Sequence, residues 1–278
     1  TCASRGEPLN FYDAVVLGLI QGLTEFLPIS SSGHLVLGGA LLGLTETHLM
    51  FDLILHAATL LATIVFFWQS LGEMLSAVFR AKAAQLLAAL AKSDSPLRLL
   101  MLLFVASIPT ALMGLFLKDL FESLFGYPQY VSGELLITAL MLFATRLRTN
   151  NQRRLADMTV VDALLIGIAQ GVAISPGISR SGFTIATALL QGLDPGLATQ
   201  FSFLLSLPAV FGAVVLKASE SGALQMIPIS AAALGFGVSL VSGWLCLKFF
   251  IPIVKRGQLH YFSYYLFPVG IVGLYVFN

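Results

Sequence analysis

Six long apolar segments constrain this chain more than any other feature, because each is about as long as a helix that crosses a bilayer. Such a helix needs about 20 apolar residues to cover about 30 Å of hydrocarbon. With 57% hydrophobic and 10% charged residues, the chain carries far less charge than the roughly 25% of an average globular domain. We therefore expect an all-α polytopic membrane protein, not a soluble enzyme or a nucleic-acid-binding protein. The predicted spans are 51–70, 97–117, 130–147, 198–217, 226–250 and 258–277.

Two further apolar stretches, 11–44 and 160–193, are each broken in the middle by polar residues. The run 28–34, here called the first elbow, interrupts the first stretch, and the run 175–181, the second elbow, interrupts the second. The pieces on either side are too short to span a bilayer. Because irregular backbone at membrane depth is tolerated only inside protein or beside a wet cavity, we predict two re-entrant helical hairpins.

The two halves of the chain are related in sequence by a shift of 149 residues that needs no gap. Each half then holds one hairpin and three spans, and an odd number of spans inverts the second half relative to the first. We predict inverted-topology repeats at 11–149 and 150–278 in one membrane domain, after a tail at 1–10. The matched positions include Asp13 with Asp162, Gln21-Gly22 with Gln170-Gly171, and Ser32-Gly33 with Ser181-Gly182.

Lysine and arginine concentrate in three of the loops, which carry 11 of the 15 basic residues. Cytoplasmic loops of membrane proteins carry an excess of these residues, so we place the three loops in the cytoplasm. Both termini then lie outside, with the first hairpin entering from outside and the second from the cytoplasm. In the loop 73–95, an apolar stripe with basic neighbours predicts a helix that lies in the membrane interface.

The two elbows carry most of the polar chemistry. Gln21 and Glu25 are four residues apart on one helical face, and Ser30 and His34 have the same spacing across the first elbow. The second elbow places Arg180 between two serines at the start of a half-helix. A helix N-terminus with an adjacent arginine and hydroxyl groups is an anion site that suits phosphate.

Together the elbows offer a carboxylate, an imidazole, hydroxyls and a guanidinium, which are the groups that phosphoryl transfer needs. Glu25 with Gln21 is a candidate oxygen-ligand pair for Mg²⁺ or Ca²⁺. The sequence contains no zinc-type His/Cys cluster and no Walker A motif. A structural interpretation also exists for some of these residues: Ser30, Ser32 and Ser179 suit helix caps, and Gln21 suits helix packing.

Both elbow motifs resemble those of a known family. The run 21–34, Gln-Gly-Leu-Thr-Glu-Phe-Leu-Pro-Ile-Ser-Ser-Ser-Gly-His, is similar to the (E/Q)xxxE and Ser-Ser-x-Gly-His signature of the bacitracin-resistance undecaprenyl-pyrophosphate phosphatases. The run 176–184 matches their PGxSRSxxT motif. The resemblance covers about residues 11–278. The first motif position is Gln21, where the family has Glu or Gln, and this weakens a two-carboxylate metal site.

The resemblance implies removal of the terminal phosphate from undecaprenyl pyrophosphate at the outer face of the bacterial inner membrane, with recycling of the cell-wall lipid carrier and bacitracin resistance. The partners would be a polyprenyl pyrophosphate lipid and the bilayer, without nucleic acid, and a homodimer is compatible with the sequence. By position, the catalytic residues would be Glu25, Ser31, His34 and Arg180. Phosphate would bind to Ser30, Ser179, Arg180 and Thr184, and a divalent cation, Mg²⁺ or Ca²⁺, to Glu25 and Gln21.

Two other functions fit parts of the pattern. A transporter of lipid phosphates or small anions is one, because inverted repeats with broken helices are typical of transporters. A type-2 phosphatidic acid phosphatase is the other, but it expects His and Asp where this chain has Ala186 and Leu190. Asp52 and His56 lie four residues apart at the start of a span and are expected to pair with each other.

Overall fold

The computed structural model of the protein describes residues 10–42, 48–81, 93–124, 126–147, 152–220 and 228–277. In these ranges the chain is almost entirely helical, which confirms the predicted all-α fold. The helices are α1 (Phe11–Thr24), α2 (Ser31–Leu42), α3 (His48–Phe66), α4 (Trp68–Arg80), α5 (Pro96–Phe116), α6 (Lys118–Leu124), α7 (Pro128–Ala144), α8 (Val160–Val172), α9 (Arg180–Leu190), α10 (Pro195–Glu220), α11 (Ile229–Lys255) and α12 (Tyr261–Phe277).

Four described helical segments are long and apolar enough to cross a membrane, and they coincide with predicted spans. They are α5, α7 together with the 3₁₀ turn Thr145–Leu147 that follows it, α10 and α11. The predicted span 51–70 is α3, which ends at Phe66 because the chain bends by 71° into α4. The last predicted span is α12, whose 17 residues reach about 25 Å at 1.5 Å per residue. The chain is therefore a multi-pass membrane protein.

Helix α4 corresponds to the start of the predicted interfacial helix 73–95, and residues 82–92 lie outside the described part of the chain. It buries Met74 against the protein and exposes Trp68, Leu75 and Phe79. The three exposed residues are seven and four positions apart, so they share one face of the helix. A helix with such an apolar face, set at an angle to its span, suits the membrane interface.

Each predicted hairpin is a pair of half-helices, α1 with α2 and α8 with α9, that pack against each other. Both hairpins begin with the same device. The Asn10 side chain caps α1 in a reciprocal arrangement with Asp13, and Thr159 caps α8 with Asp162 in the same way. These caps satisfy N–H groups that a helix cannot satisfy itself. Asn10 thus belongs to the first helix, while residues 1–9 of the predicted tail lie outside the described range.

The first half-helix of each hairpin packs on a span from the other half of the chain, α1 on α11 and α8 on α5. Gly18 and Gly167, which the 149-residue shift aligns, both lie at these crossings. A Cβ at Gly18 would come within 2.9 Å of the Gly235 carbonyl oxygen, and one at Gly167 within 2.8 Å of the Ala106 carbonyl carbon. Glycine therefore permits close approach at both crossings. The division into inverted repeats stays a prediction.

Two arginines from the predicted basic regions, one in the first turn of α5 and one in the segment before α8, join neighbouring segments. Arg98 donates to the carbonyls of Leu155 and Met158 at 3.0 and 2.6 Å. Arg153 pairs with Asp162 at 2.6 Å and donates to the Gln191 carbonyl at 2.7 Å, so it joins the beginning and the end of the second hairpin. The side of the membrane on which these segments lie stays a prediction.

The crossing of α8 and α5 generates a stability prediction. We expect Gly167→Ala to lower the melting temperature in detergent, because the methyl group meets backbone that cannot turn aside, at a cost of roughly 1–3 kcal/mol. Gly237→Ala in α11 is the matched control, since a Cβ there meets open space. Circular dichroism during heating measures both. Equal melting temperatures for the two variants would show that the crossing tolerates a side chain.

Candidate active site

The two elbows touch, and serine hydroxyls make the contact. Ser30 and Ser32 both donate to the carbonyl oxygen of Pro176, at 2.7 and 2.9 Å. Ser30 has a φ of 68°, which is rare for a residue with a side chain, and its hydroxyl also accepts the N–H of Gly33 at 3.1 Å. Ser30 therefore caps α2 and joins the elbows. Its predicted phosphate-binding role stays a prediction.

Glu25 lies at the centre of the site, directly after α1, with only 5% of its side chain exposed. One carboxylate oxygen forms an ion pair with Nη2 of Arg180 from the second elbow. The other accepts hydrogen bonds from Ser31 Oγ at 2.6 Å and from Gln21 Nε2 at 3.0 Å. Four residues predicted from the motifs, including both candidate metal ligands, thus form one hydrogen-bonded group.

The second elbow ends in helix α9, which begins at Arg180. The Ser179 hydroxyl caps this helix by accepting the N–H of Gly182 at 3.1 Å. The N–H groups of the first turn have no partner inside a helix, so they strengthen the attraction of this end for an anion. The ion pair with Glu25 uses one nitrogen of Arg180, and a guanidinium has five N–H donors. Arg180 can therefore bind an anion while it remains paired with Glu25.

Thr184 and Ser179, which are both predicted to bind phosphate, are almost completely buried. Thr184 is fully buried, donates to the Arg180 carbonyl at 2.7 Å and contacts Ser202 Oγ at 2.5 Å. Ser179 is 1% exposed. In this structure both side chains support the beginning of α9, and direct phosphate binding by them stays a prediction.

His34 forms its hydrogen bonds with residues outside the Glu25 group. Its Nδ1 is 2.7 Å from the Ser30 carbonyl and therefore carries a proton, while Nε2 accepts from the Tyr265 hydroxyl at 2.9 Å. The two rings are also stacked, with centroids 5.8 Å apart. Since Ser31 bonds to Glu25, the base in contact with this candidate nucleophile is the carboxylate. Tyr265 carried no signal in the sequence because its partner is 231 positions away.

His56 is the imidazole that the structure places beside Glu25. Its Nε2 is 3.8 Å from a Glu25 carboxylate oxygen. Its Nδ1 is 2.7 Å from the backbone carbonyl of Asp52, so the expected pairing of the two residues involves the Asp52 backbone. The four-residue spacing was visible in the sequence, but the approach to Glu25 depends on how α3 packs on α1.

A carboxylate and a threonine from α7 hold the second elbow, and neither belongs to a motif. Glu134 accepts hydrogen bonds from Ser175 Oγ and, at 2.7 Å, from the N–H of Gly177. Thr138, one turn later, accepts the N–H of Ser179 at 3.1 Å. These contacts satisfy elbow backbone that would otherwise be unpaired at depth. An isolated Glu in an apolar span was the only sequence signal.

A small cavity lies beside the Glu25–Arg180 pair, between α1, α3, α9 and α10. Several of the hydroxyls on its walls donate to carbonyls of their own helices, for example Thr63 to Thr59 at 2.9 Å, and so offer acceptor lone pairs. Arg180 is the cation among the lining residues, which also include Glu25, Thr59, Thr63, Ser202 and Ser206. The guanidinium of Arg180 and the carboxylate that contacts Ser31 therefore both line this cavity.

The predicted divalent cation fits the residues present. The Oε1 atom of Gln21 is buried and has no hydrogen-bond partner in the described part of the chain. A carboxylate and an amide oxygen are ligands that Mg²⁺ and Ca²⁺ accept. Among the described residues, no three His, Cys, Asp or Glu side chains converge. A bound cation would therefore complete its shell with water and substrate oxygens.

Comparison with known proteins agrees with the motifs. The family described as "Bacitracin resistance protein BacA" matches residues 14–272. The chain belongs to this family. Among similar proteins, each named undecaprenyl-diphosphatase, those of Desulfosudis oleivorans and Carboxydothermus hydrogenoformans are 43% and 39% identical over 273 and 270 residues. These alignments cover 97% and 96% of this chain, and 98% and 97% of the relatives.

A protein of Methanosphaera stadtmanae with the same name is 40% identical over 271 residues, which is 96% of this chain and 98% of the relative. The match extends well beyond the two elbow motifs and includes nearly every helix described above. The sequence similarity therefore covers both elbow motifs and the helices that pack around them.

The support of the second elbow by α7 can be tested. We expect Glu134→Ala to weaken binding of inorganic pyrophosphate, used as an anion probe, about tenfold, because Ser175 and Gly177 lose their acceptor. Glu134→Gln retains an acceptor oxygen and should lose less. Isothermal titration calorimetry in detergent measures the affinities, with the exposed Glu73→Ala on α4 as control. Wild-type affinity in Glu134→Ala would show that the elbow keeps its shape without α7.

Proposed function

We propose that this chain is a membrane phosphatase that hydrolyses undecaprenyl pyrophosphate to undecaprenyl phosphate and inorganic phosphate. The observation that carries the proposal is the contact of Ser31 with Glu25 and of Glu25 with Arg180, where the two elbows meet. A hydroxyl bonded to a carboxylate beside an anion-binding guanidinium is the arrangement that phosphoryl transfer needs. The names of the relatives supply the substrate.

In this mechanism Ser31 is the nucleophile and Glu25 its base. The Ser31 oxygen attacks the terminal phosphorus while its proton passes to the Glu25 oxygen that is 2.6 Å away. The bond from that phosphorus to the bridging oxygen breaks, and undecaprenyl phosphate leaves. Water then hydrolyses the phosphoserine, which releases inorganic phosphate and restores the hydroxyl. Attack by water itself, with Glu25 as base, is the alternative.

Arg180 and the first turn of α9 bind the transferring phosphate in this proposal. Their donors are fixed by the cap at Ser179 and by the support from Glu134, so they need little rearrangement as charge develops on the phosphoryl oxygens. His34 orients the first elbow through Ser30 and Tyr265. A divalent cation held by Glu25 and Gln21, Mg²⁺ or Ca²⁺ as predicted, would neutralise charge on the pyrophosphate oxygens.

The cellular setting follows from the substrate and from the distribution of basic residues. We place the chain in the bacterial inner membrane with its site open to the periplasm, where it would recycle the lipid carrier of cell-wall synthesis and confer bacitracin resistance. The basic loops then face the cytoplasm. A homodimer stays a prediction.

The direct test is phosphate release by the purified protein from undecaprenyl pyrophosphate with Mg²⁺ or Ca²⁺. We expect release by the wild type and a loss of about 100-fold or more in Arg180→Ala, since one such donor stabilises the transition state by that order. Arg146→Ala is the matched control, because Arg146 contacts Tyr264 and Phe143. Lipid binding that depends on Arg180, without phosphate release under either cation, would favour the transporter.

The choice of base gives a second prediction. Glu25→Gln should lower phosphate release by about 100-fold or more, as loss of a general base does, and His34→Ala should lower it less. Acid quenching of the reaction with substrate labelled at the terminal phosphorus should recover label on Ser31. If label appears on Ser31 at the wild-type rate in the Glu25→Gln variant and is lost in the His34→Ala variant, then His34 is the base.

A further inference from the structure

His56 is aimed at the Glu25 group and is used by none of the steps above. Its Nδ1–H donates to the Asp52 carbonyl at 2.7 Å, which leaves the Nε2 lone pair toward Glu25, 3.8 Å from the carboxylate oxygen. Histidines that bind metals usually donate their other ring N–H to a carboxylate or a backbone carbonyl, which fixes the tautomer and the ring orientation. His56 has this orientation already.

Gln21 supplies a second, independent observation. Within the described ranges of the chain its Oε1 is buried without a hydrogen-bond partner, and an unsatisfied buried acceptor costs about 1–3 kcal/mol. Its Nε2 donates to the same Glu25 oxygen that His56 approaches, at 3.0 Å. Rotation of the amide by 180° would exchange the two atoms and present the unpartnered oxygen to the site. A cation beside Glu25 would then satisfy the acceptor.

The separation of these atoms also suits one ion. Ligand atoms held about 2.1 Å from a metal lie roughly 3–4 Å apart. His56 Nε2 lies 3.8 Å from the Glu25 oxygen, and Gln21 Nε2, whose place Oε1 would take after the rotation, lies 3.0 Å from it. Imidazole nitrogen is a ligand for first-row transition metals, whereas Ca²⁺ and Mg²⁺ take oxygen. Arg180 pairs with the other Glu25 oxygen, so anionic pyrophosphate would strengthen cation binding.

We propose that Gln21, Glu25 and His56 form a divalent-cation site with one nitrogen ligand, which binds transition-metal ions such as Mn²⁺ in preference to Ca²⁺. The inference rests on the proposed function in one respect, because the pyrophosphate beside this site is the substrate proposed above. It changes the predicted cofactor, because the ligand set contains one carboxylate, one amide and one imidazole. His56 is the third ligand of this site. Gln21 stands at the motif position where the family has Glu or Gln.

The test uses Mn²⁺ itself as the probe, with methylenediphosphonate as a pyrophosphate analogue that is not hydrolysed. Electron spin echo envelope modulation of the bound Mn²⁺ should show ¹⁴N coupling from one imidazole. Protein labelled with ¹⁵N-histidine should replace that signal with ¹⁵N coupling, which requires no substitution. Bound Mn²⁺ without nitrogen coupling, or no Mn²⁺ binding at all, would overturn the proposal.

Variants then assign the nitrogen. His56→Gln should lose the ¹⁴N coupling and bind Mn²⁺ about tenfold or more weakly, while its affinity for Mg²⁺ changes less because an amide oxygen replaces the imidazole. His260→Gln, at the start of α12, is the matched control and should retain the coupling. Coupling that persists in His56→Gln would overturn the assignment. Phosphate release is measured separately, so loss of the metal site and loss of the phosphatase are distinguishable.

Discussion

The ion pair between Glu25 and Arg180 is the contact on which the site depends. An ionised carboxylate buried inside a protein costs several kcal/mol unless it is paired and hydrogen-bonded, and Glu25 has both kinds of partner. The two charges come from positions 155 residues apart, one in each hairpin. Removal of either would leave the other uncompensated. The hairpins therefore stabilise each other's charge as well as each other's backbone.

The two elbows have one frame and different chemistry. Ser30 and Ser179, aligned by the 149-residue shift, both accept an N–H from the following helix. The next positions, Ser31 and Arg180, are also equivalent, and each begins its half-helix. The caps fix the first residue of both half-helices in the same way. The two elbows differ at this position, where the first has the Ser31 hydroxyl and the second has the Arg180 guanidinium. Glu25, whose equivalent is Ile174, contacts both.

The sequence predicted the parts of this structure that depend on local pattern. Breaks at Pro28 and Gly177 and caps such as Ser179 follow from spacing along one helix, and the structure has them. Contacts between distant helices were not predictable in this way. Glu134 reaches the second elbow across 43 positions, and His34 reaches Tyr265 across 231. Nothing in the local sequence singled out His56 rather than His34 as an imidazole that approaches Glu25, since both lie one helical turn from another polar residue.

A broken-helix frame of this kind serves carriers as well as enzymes, so the frame alone does not decide the function. Arg180 and the positive end of the α9 dipole would hold an anion in either case. In the proposed mechanism Ser31 makes the difference, because its hydrogen bond to a buried carboxylate would prepare a nucleophile, which a carrier does not need. That bond exists because Glu25 lies directly after α1 and Ser31 directly at the start of α2, a separation of six residues. In that mechanism the first elbow adds the nucleophile and the base to the anion site of the second elbow.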